Sequence, residues 1–418
     1  MSFRRKKSEY DVYENHMGKI LTIYPTEDQI SYIENTFNLY RFVYNWTIEQ
    51  YESYYKYALE NNLEYKCIDE KELQVRLSKL RNENEWLQKV PLGTLRNAMF
   101  DAVGAYEKFF DKRFETRHPR FKSKKRSKKQ FAPRLEGKFY FEDNLVRIEG
   151  LPIGDKIETK YHTGYHKSDN IKFTNVRIWK DTNNKYKMSF CIPKRLPCYE
   201  NKSNEELENY SYQPEYDRAI GIDLNKKKMI VGSDGTVIYT PNTKNIDKSI
   251  KRLSRKCSKD QKRIQRTNVY NDNNLPIKSN NSIKRQLKLS KKKRRKANII
   301  EDAMRKGIKE IVSKKPVAIV MEDLNVKEMY SRSYIAKNIV HVPFRKIRDY
   351  TEWECKKQGT PFLLAPKDYP SSQLCSKCGS IRKIGSRKTY ICHNCGLVID
   401  RDDNASLNLE NYWYCCNC

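Results

Sequence analysis

Two short knuckles, Cys375-Ser-Lys-Cys378-Gly379 and Cys392-His-Asn-Cys395-Gly396, constrain this chain more than any other feature. In each, a pair of thiols is followed by a glycine that permits the tight turn aiming both sulfurs at one point. Four thiolates from two such turns complete the tetrahedral shell of Zn²⁺. With every position filled by protein, that ion holds structure and does no hydrolysis. His393 reads as a loop residue rather than a fifth ligand. Cys67, Cys191, Cys198, Cys257 and Cys355 are scattered, and Cys415, Cys416 and Cys418 crowd the tail, which fits a reducing compartment better than a disulfide framework.

The chain has 418 residues, enough for two or three domains. Its 83 basic against 52 acidic residues give a formal charge of +31, far beyond what solubility requires, so a polyanionic partner is expected. The chain is 12% aromatic with 29 tyrosines, which adds faces for base stacking and makes nucleic acid the leading candidate. No apolar stretch is long enough to span a membrane, and the opening Met1-Ser-Phe-Arg-Arg-Lys-Lys7 lacks a signal peptide's apolar core; an intracellular protein with no membrane partner is expected.

Along the chain, Lys19–Tyr24 alternates like a strand, and Thr26 with Gln29 forms a capping box that opens a helix. Apolar residues at Ile30, Ile33, Phe37, Tyr40, Tyr44, Ile48 and Tyr51 keep helical spacing, and similar patterns recur at Leu73–Leu80 and Leu95–Phe110. From Pro119-Arg-Phe-Lys-Ser-Lys-Lys125 the chain turns basic, and Arg120, Lys122, Lys124, Lys125 and Arg126 are candidate phosphate contacts. Short strands follow at 138–141, 145–148, 173–179 and 186–192, read as a small barrel or curled sheet, and the polar stretch from Glu200 to Asp217 reads as a linker.

A new domain begins near Arg218, with strands at Ala219–Leu224, Met229–Gly232 and Val237–Tyr239. Two basic helices between Lys244 and Lys296 follow, and Lys291, Lys292, Arg294 and Arg295 in the run Lys291–Lys296 are further candidate nucleic-acid contacts. Taken alone such a run is a solvated face or a nuclear-localisation signal; its place beside acidic strands favours phosphate binding.

Three acidic sites stand out: Asp223 in an apolar strand, Glu322 ending the apolar run Pro316–Met321, and the cluster Asp400-Arg-Asp-Asp-Asn-Ala405. A carboxylate at the end of a buried strand is costly unless water, a cation or a metal reaches it. Together they would supply hard oxygen ligands for Mg²⁺ or Mn²⁺, which activate water for phosphodiester cleavage. Asp402 and Asp403 are both candidates for the third position, and either could equally cap a helix.

In this order, Ile220-Gly-Ile-Asp-Leu224, Val320-Met-Glu-Asp-Leu324, Pro370-Ser-Ser-Gln-Leu-Cys375, the two knuckles and Asp400–Ala405 resemble the TnpB family of transposon-encoded proteins, relatives of type V CRISPR effectors. The resemblance covers about Arg218 to Leu409 by motif and the N-terminal half by architecture. It implies an α+β multidomain protein. A wedge β-barrel (1–25 and 116–213, the latter with a linker) and a helical recognition lobe (26–115) would be followed by a split RuvC nuclease of RNase H-like fold (214–370 and 399–418), with a zinc ribbon inserted at 371–398.

The resemblance further implies catalytic Asp223, Glu322 and Asp402, a guide RNA from the transposon end, double-stranded target DNA cut beside a short flanking motif, and a monomeric ribonucleoprotein. The compartment would be prokaryotic cytoplasm and nucleoid, or a nucleus for a eukaryotic or viral source. A nuclease-silent RNA-guided repressor and a DNA-joining transposase are the alternative activities. One departure from the family pattern is Asn225, where glycine commonly follows the first Asp-Leu.

Overall fold

The computed structural model describes residues 14–63, 68–111, 113, 116–124, 127–135, 139–169, 171–200, 202–203, 206, 210–267, 279–324, 343–385 and 387–417. They fall into two units, one ending at Lys194 and the other running from Arg195. No helix among the described residues is long and apolar enough to cross a membrane.

In the first unit, β1 (Glu14–Tyr24) leads into the long helix α1 (Glu27–Glu60). The capping box is present: the Gln29 N–H donates to Thr26 Oγ1 at 3.4 Å and the Thr26 N–H donates to Gln29 Oε1 at 3.1 Å. Gln29 Nε2 also reaches Asp155 Oδ2 and the Lys156 carbonyl, both at 3.1 Å, which ties the helix start to the sheet. Helices α2 (Glu70–Glu83), α3 (Glu85–Gln88) and α4 (Leu92–Phe110) follow.

The sheet runs in the order β2-β6-β7-β1-β5-β4-β3, where β2 is Gln130–Phe131, β3 Tyr140–Glu142, β4 Leu145–Arg147, β5 Ile157–Thr159, β6 Thr174–Lys180 and β7 Tyr186–Arg195. Helices and sheet share one core in which Ile33, Phe37, Leu95, Met99, Phe131, Phe141 and Phe190 are buried together. A polar tie crosses it. Arg177 on β6 grips Asp101 on α4 through two hydrogen bonds of 2.5 Å, and the Tyr40 hydroxyl on α1 donates to the same carboxylate at 2.8 Å.

The expected barrel is not closed. Its end strands β2 and β3 do not pair with each other among the described residues, and the helices cover apolar surface that closure would otherwise have to bury.

The second unit is built on a five-stranded sheet in the order β10-β9-β8-β11-β12. Here β8 is Ile220–Asp223, β9 Lys228–Gly232, β10 Val237–Tyr239, β11 Ile319–Glu322 and β12 Phe362–Ala365. Strands β8, β11 and β12 are parallel, while β8, β9 and β10 run antiparallel. Ile220, Ile222, Ile319, Val320 and Met321 are buried, as expected for parallel strands covered on both faces. Helices α5 (Lys244–Thr267), α6 (Asn280–Ser313), α7 (Phe344–Gln358) and α8 (Arg401–Asn417) belong to this unit. Part of the stretch read as a linker is pinned instead: Tyr212 Oη donates to the Pro316 carbonyl at 3.0 Å, and Tyr216 bridges Pro316 ahead of β11.

Helix α8 lies directly on β8. A Cβ placed on Gly221 would come within 2.0 Å of the Ser406 carbonyl oxygen and 2.4 Å of the Glu410 amide nitrogen, both backbone atoms that cannot swing away. Gly221→Ala should therefore lift α8 and cost on the order of 2 kcal/mol, read as a lowered urea midpoint. An unchanged midpoint would contradict this packing.

Candidate functional site

Strand register and helix packing bring the acidic residues of the second unit together. Ile222 pairs with Met321 in the parallel β8–β11 ladder, so Asp223 and Glu322 leave neighbouring strands at the same end of the sheet. Helix α8 carries Asp402 in its first turn to the same place. Asp223 is 8% exposed. Burial, and then the charges of Glu322 and Asp402, push its carboxyl up to about 8, with Arg401 pulling the other way. Burial likewise raises Glu322, against a hydrogen bond from Ser371.

The two neighbouring aspartates of α8 face differently. Asp402 is among the charges acting on Asp223. Asp403 is raised by burial first and feels Lys228, Asp400 and Asp402. Lys228 Nζ lies 3.1 Å from Asp400 Oδ2, so the Asp400–Asp403 side already has a cation. On the other side Asp402 lies 3.5 Å from the Arg401 guanidinium, and the three carboxylates of Asp223, Glu322 and Asp402 offer hard oxygen donors, which suits a divalent ion.

Sequence reading missed two partners of these carboxylates. Asn225 Nδ2 donates to Asp223 Oδ2 at 2.9 Å, and the Ser371 hydroxyl donates to Glu322 Oε1. The Ser371 bond crosses the fold and leaves no spacing signal, whereas Asn225 lies only two residues beyond Asp223 and reads in the sequence simply as a residue in the place of a turn glycine.

The cysteine prediction is met by geometry. Cys375, Cys378, Cys392 and Cys395 have sulfurs all within 4.8 Å of one another. The Cys375–Cys395 and Cys378–Cys392 separations are both 3.6 Å. A zinc tetrahedron with Zn–S bonds of about 2.3 Å has sulfur–sulfur edges of roughly 3.8 Å. Ser380 Oγ lies 3.3 Å from Cys378 Sγ and Asn394 Nδ2 lies 3.5 Å from it, and these contacts hold the Cys378 thiol down at about 5. The first knuckle precedes a hairpin of β13 (Thr389–Ile391) and β14 (Val398–Asp400), and the second forms its turn. His393 is exposed and outside the cluster. Cys415 and Cys416 are exposed on α8, while Cys67 and Cys418 lie outside the described residues.

The basic candidates separate by environment. Arg120 and Lys124 are exposed, and Lys125 and Arg126 lie outside the described residues. Lys122 is half-buried, with Nζ 3.2 Å from the centroid of the Tyr44 ring; burial draws its amine down to about 8. It lines a small surface recess with Arg41, Lys124 and Lys128, and Arg41 carried no sequence signal. In the other unit, Lys291, Arg294 and Arg295 are exposed on α6 and Lys292 is half-buried. Lys296, the last of that run, is buried and bonds Asp247 on α5 at 2.6 Å, so it serves the α5–α6 contact rather than a ligand.

Known proteins point the same way. The chain matches a family model described as "Cas12f1-like, TNB domain" over residues 344–409 and one described as "Helix-turn-helix domain" over residues 21–59. Across the latter span the structure has the end of β1 and one uninterrupted helix. A protein of Streptomyces pristinaespiralis named "Putative RNA-guided DNA endonuclease" is 23% identical over 393 residues, covering 92% of this chain and 86% of the relative. A TnpB-like protein of Acanthamoeba polyphaga mimivirus is 23% identical over 425 residues, covering 97% and 75%. A solved Cas12f1–sgRNA–target DNA complex matches in fold with a TM-score of 0.57 at 12% identity, over 92% of this chain and 83% of that one. The chain is thus similar to TnpB-like proteins and to proteins named as RNA-guided DNA endonucleases, and its α+β fold is Cas12f-like.

Two outcomes follow from these environments. Because folding raises Asp223 from the ordinary aspartate range to about 8, the folded chain holds the extra proton and loses stability as pH climbs through that interval in divalent-free buffer. Asp223→Asn should gain melting temperature over wild type as pH rises from roughly 5 to roughly 8; parallel curves would refute the buried, like-charged setting. Replacing Lys291 and Arg295 with Ala should flatten the salt dependence of nucleic-acid binding by roughly 1.5 to 2 in log–log slope. Lys296→Ala should instead lower the melting temperature and leave that slope unchanged.

Proposed function

We propose that this protein is an RNA-guided DNA endonuclease that cuts target DNA beside a short flanking motif, with Asp223, Glu322 and Asp402 as its catalytic carboxylates. The observation that carries the reading is the convergence of Glu322 from β11 and Asp402 from α8 on Asp223 of β8, whose carboxyl is raised to about 8 by burial first and then by these two charges. A divalent ion bound there, Mg²⁺ or Mn²⁺, would supply an activated water and neutralise charge developing on the phosphate.

The chain's own residues do the remaining work. Asp223 and Glu322 are fixed by the parallel strands, and Asp402 rides on α8, whose approach depends on Gly221. Asp402 acts directly on Asp223, while Asp403 shares its surroundings with the Lys228–Asp400 pair, which favours Asp402 over Asp403 as the third ligand. The four-cysteine module would carry structural zinc and bear on the target nucleic acid. Arg120, Lys122, Lys124 and the exposed basic residues of α6 would neutralise phosphates of guide or target, while guide pairing reads sequence.

The N-terminal unit, with its open sheet and helices, is the candidate wedge and recognition part, and the five-stranded sheet with α8 the candidate RuvC part. The names of the relatives support the guided-nuclease reading, and we propose that the guide derives from a transposon end. We place the protein as a monomeric ribonucleoprotein on DNA, in prokaryotic cytoplasm or a nucleus.

The test is cleavage of a matched target by protein carrying its copurified RNA. Asp223→Ala and Asp402→Asn should each slow cutting by on the order of a hundredfold or more with guided binding retained, and Asp403→Asn by less than about tenfold. Wild-type protein that binds its target and leaves it whole under Mg²⁺ would favour the silent repressor.

A further inference from the structure

The two carboxylates that leave the strands each meet a neutral donor. Asn225, two residues after Asp223, turns its amide back so that Nδ2 donates to Asp223 Oδ2 at 2.9 Å. Ser371 is 3% exposed and its hydroxyl donates to Glu322 Oε1. Neither donor brings charge, so neither competes with a cation for the carboxylates as a lysine or arginine would.

Ser371 is itself held from behind. Asn408 Nδ2 on α8 donates to the carbonyls of Ser371 and Leu374, each at 2.7 Å. One turn earlier, Asn404 Nδ2 donates to the Leu374 carbonyl at 2.7 Å, and Asn404 Oδ1 accepts the Ser376 N–H at 3.0 Å. Asn404 and Asn408 are fully buried. The segment from Ser371 to Ser376, which contains the first zinc thiol, Cys375, is thereby fastened to the helix that also presents Asp402. Side chains that reach a reacting ion must be held within a fraction of an ångström, and donors to the ligands do this in metal sites generally.

We propose that Asn225 and Ser371 are positioning residues that fix Asp223 and Glu322 for a shared divalent ion, with Asn408 holding Ser371 in place. This rests on the nuclease reading above, and concerns how the carboxylates are presented rather than whether they cut. Asn225 orients one strand carboxylate from its own turn. Ser371 orients the other from the segment entering the zinc module, so order at the cysteines supports order at the acids.

The experiment is Mn²⁺ binding to the full-length, zinc-loaded protein, followed by electron paramagnetic resonance, with zinc content and melting temperature measured on the same samples. Asn225→Ala and Ser371→Ala should each weaken Mn²⁺ binding by about tenfold at unchanged zinc content and nearly unchanged melting temperature. Ser371→Thr, which keeps the hydroxyl, should restore binding to within about threefold of wild type. Asn408→Ala should reproduce the Ser371→Ala loss. Wild-type affinity in both alanine variants would overturn the proposal while leaving the metal centre standing. Lack of any Mn²⁺ site sensitive to Asp223→Ala in wild-type background would overturn both readings together.

Discussion

The close approach of α8 to β8 is the contact on which the rest of the second unit depends. Two backbone atoms of the helix occupy the space where any side chain at position 221 would stand, so this strand position accepts only glycine without movement. That approach sets α8, which carries Asp402, against the strand that carries Asp223, and Asp223 itself is buried. The consequence is an aspartate whose ionised form is unfavourable in the folded chain until a cation offsets it. Stability is thus set against charge density at one end of the sheet.

The zinc module and the carboxylates are not independent in this arrangement. Asn404 and Asn408 form a polar seam between α8 and the segment entering the first knuckle, with their amides spent on backbone carbonyls that would otherwise be buried unpaired. Four thiolates converging on one point restrain that segment from the other side. The residues 371–376 are therefore held between the cysteine cluster and a helix, and Ser371 links them to Glu322.

Much of this was legible in the sequence where a single residue type or a period carries the information. The knuckles declared their thiols, the capping box at Thr26 and Gln29 declared the start of α1, and the apolar runs around Asp223 and Glu322 declared buried strands. What stayed hidden depends on tertiary contact. Helix α7 and strand β12 lacked a pattern strong enough to read, yet β12 completes the parallel part of the sheet. Sheet closure in the first unit was overestimated because strand content does not say whether end strands meet. The basic run of α6 looked uniform, but Lys296 differs from Lys291 only by where the helix turns it, toward Asp247 on α5. Asp402 and Asp403, equivalent in sequence, are separated by tertiary surroundings: Asp402 pairs with Arg401 and acts on Asp223, whereas Asp403 is raised by its burial.

The central claim is that Asp223, Glu322 and Asp402 together hold a divalent ion. Anomalous diffraction at the manganese edge, from crystals grown with Mn²⁺, addresses it without relying on catalysis. The account predicts a peak at roughly 2.2 Å from a carboxylate oxygen of each of the three residues. Ordered manganese bound through Asp400 and Asp403 alone, with the Asp223 carboxylate turned away from it, would contradict the account.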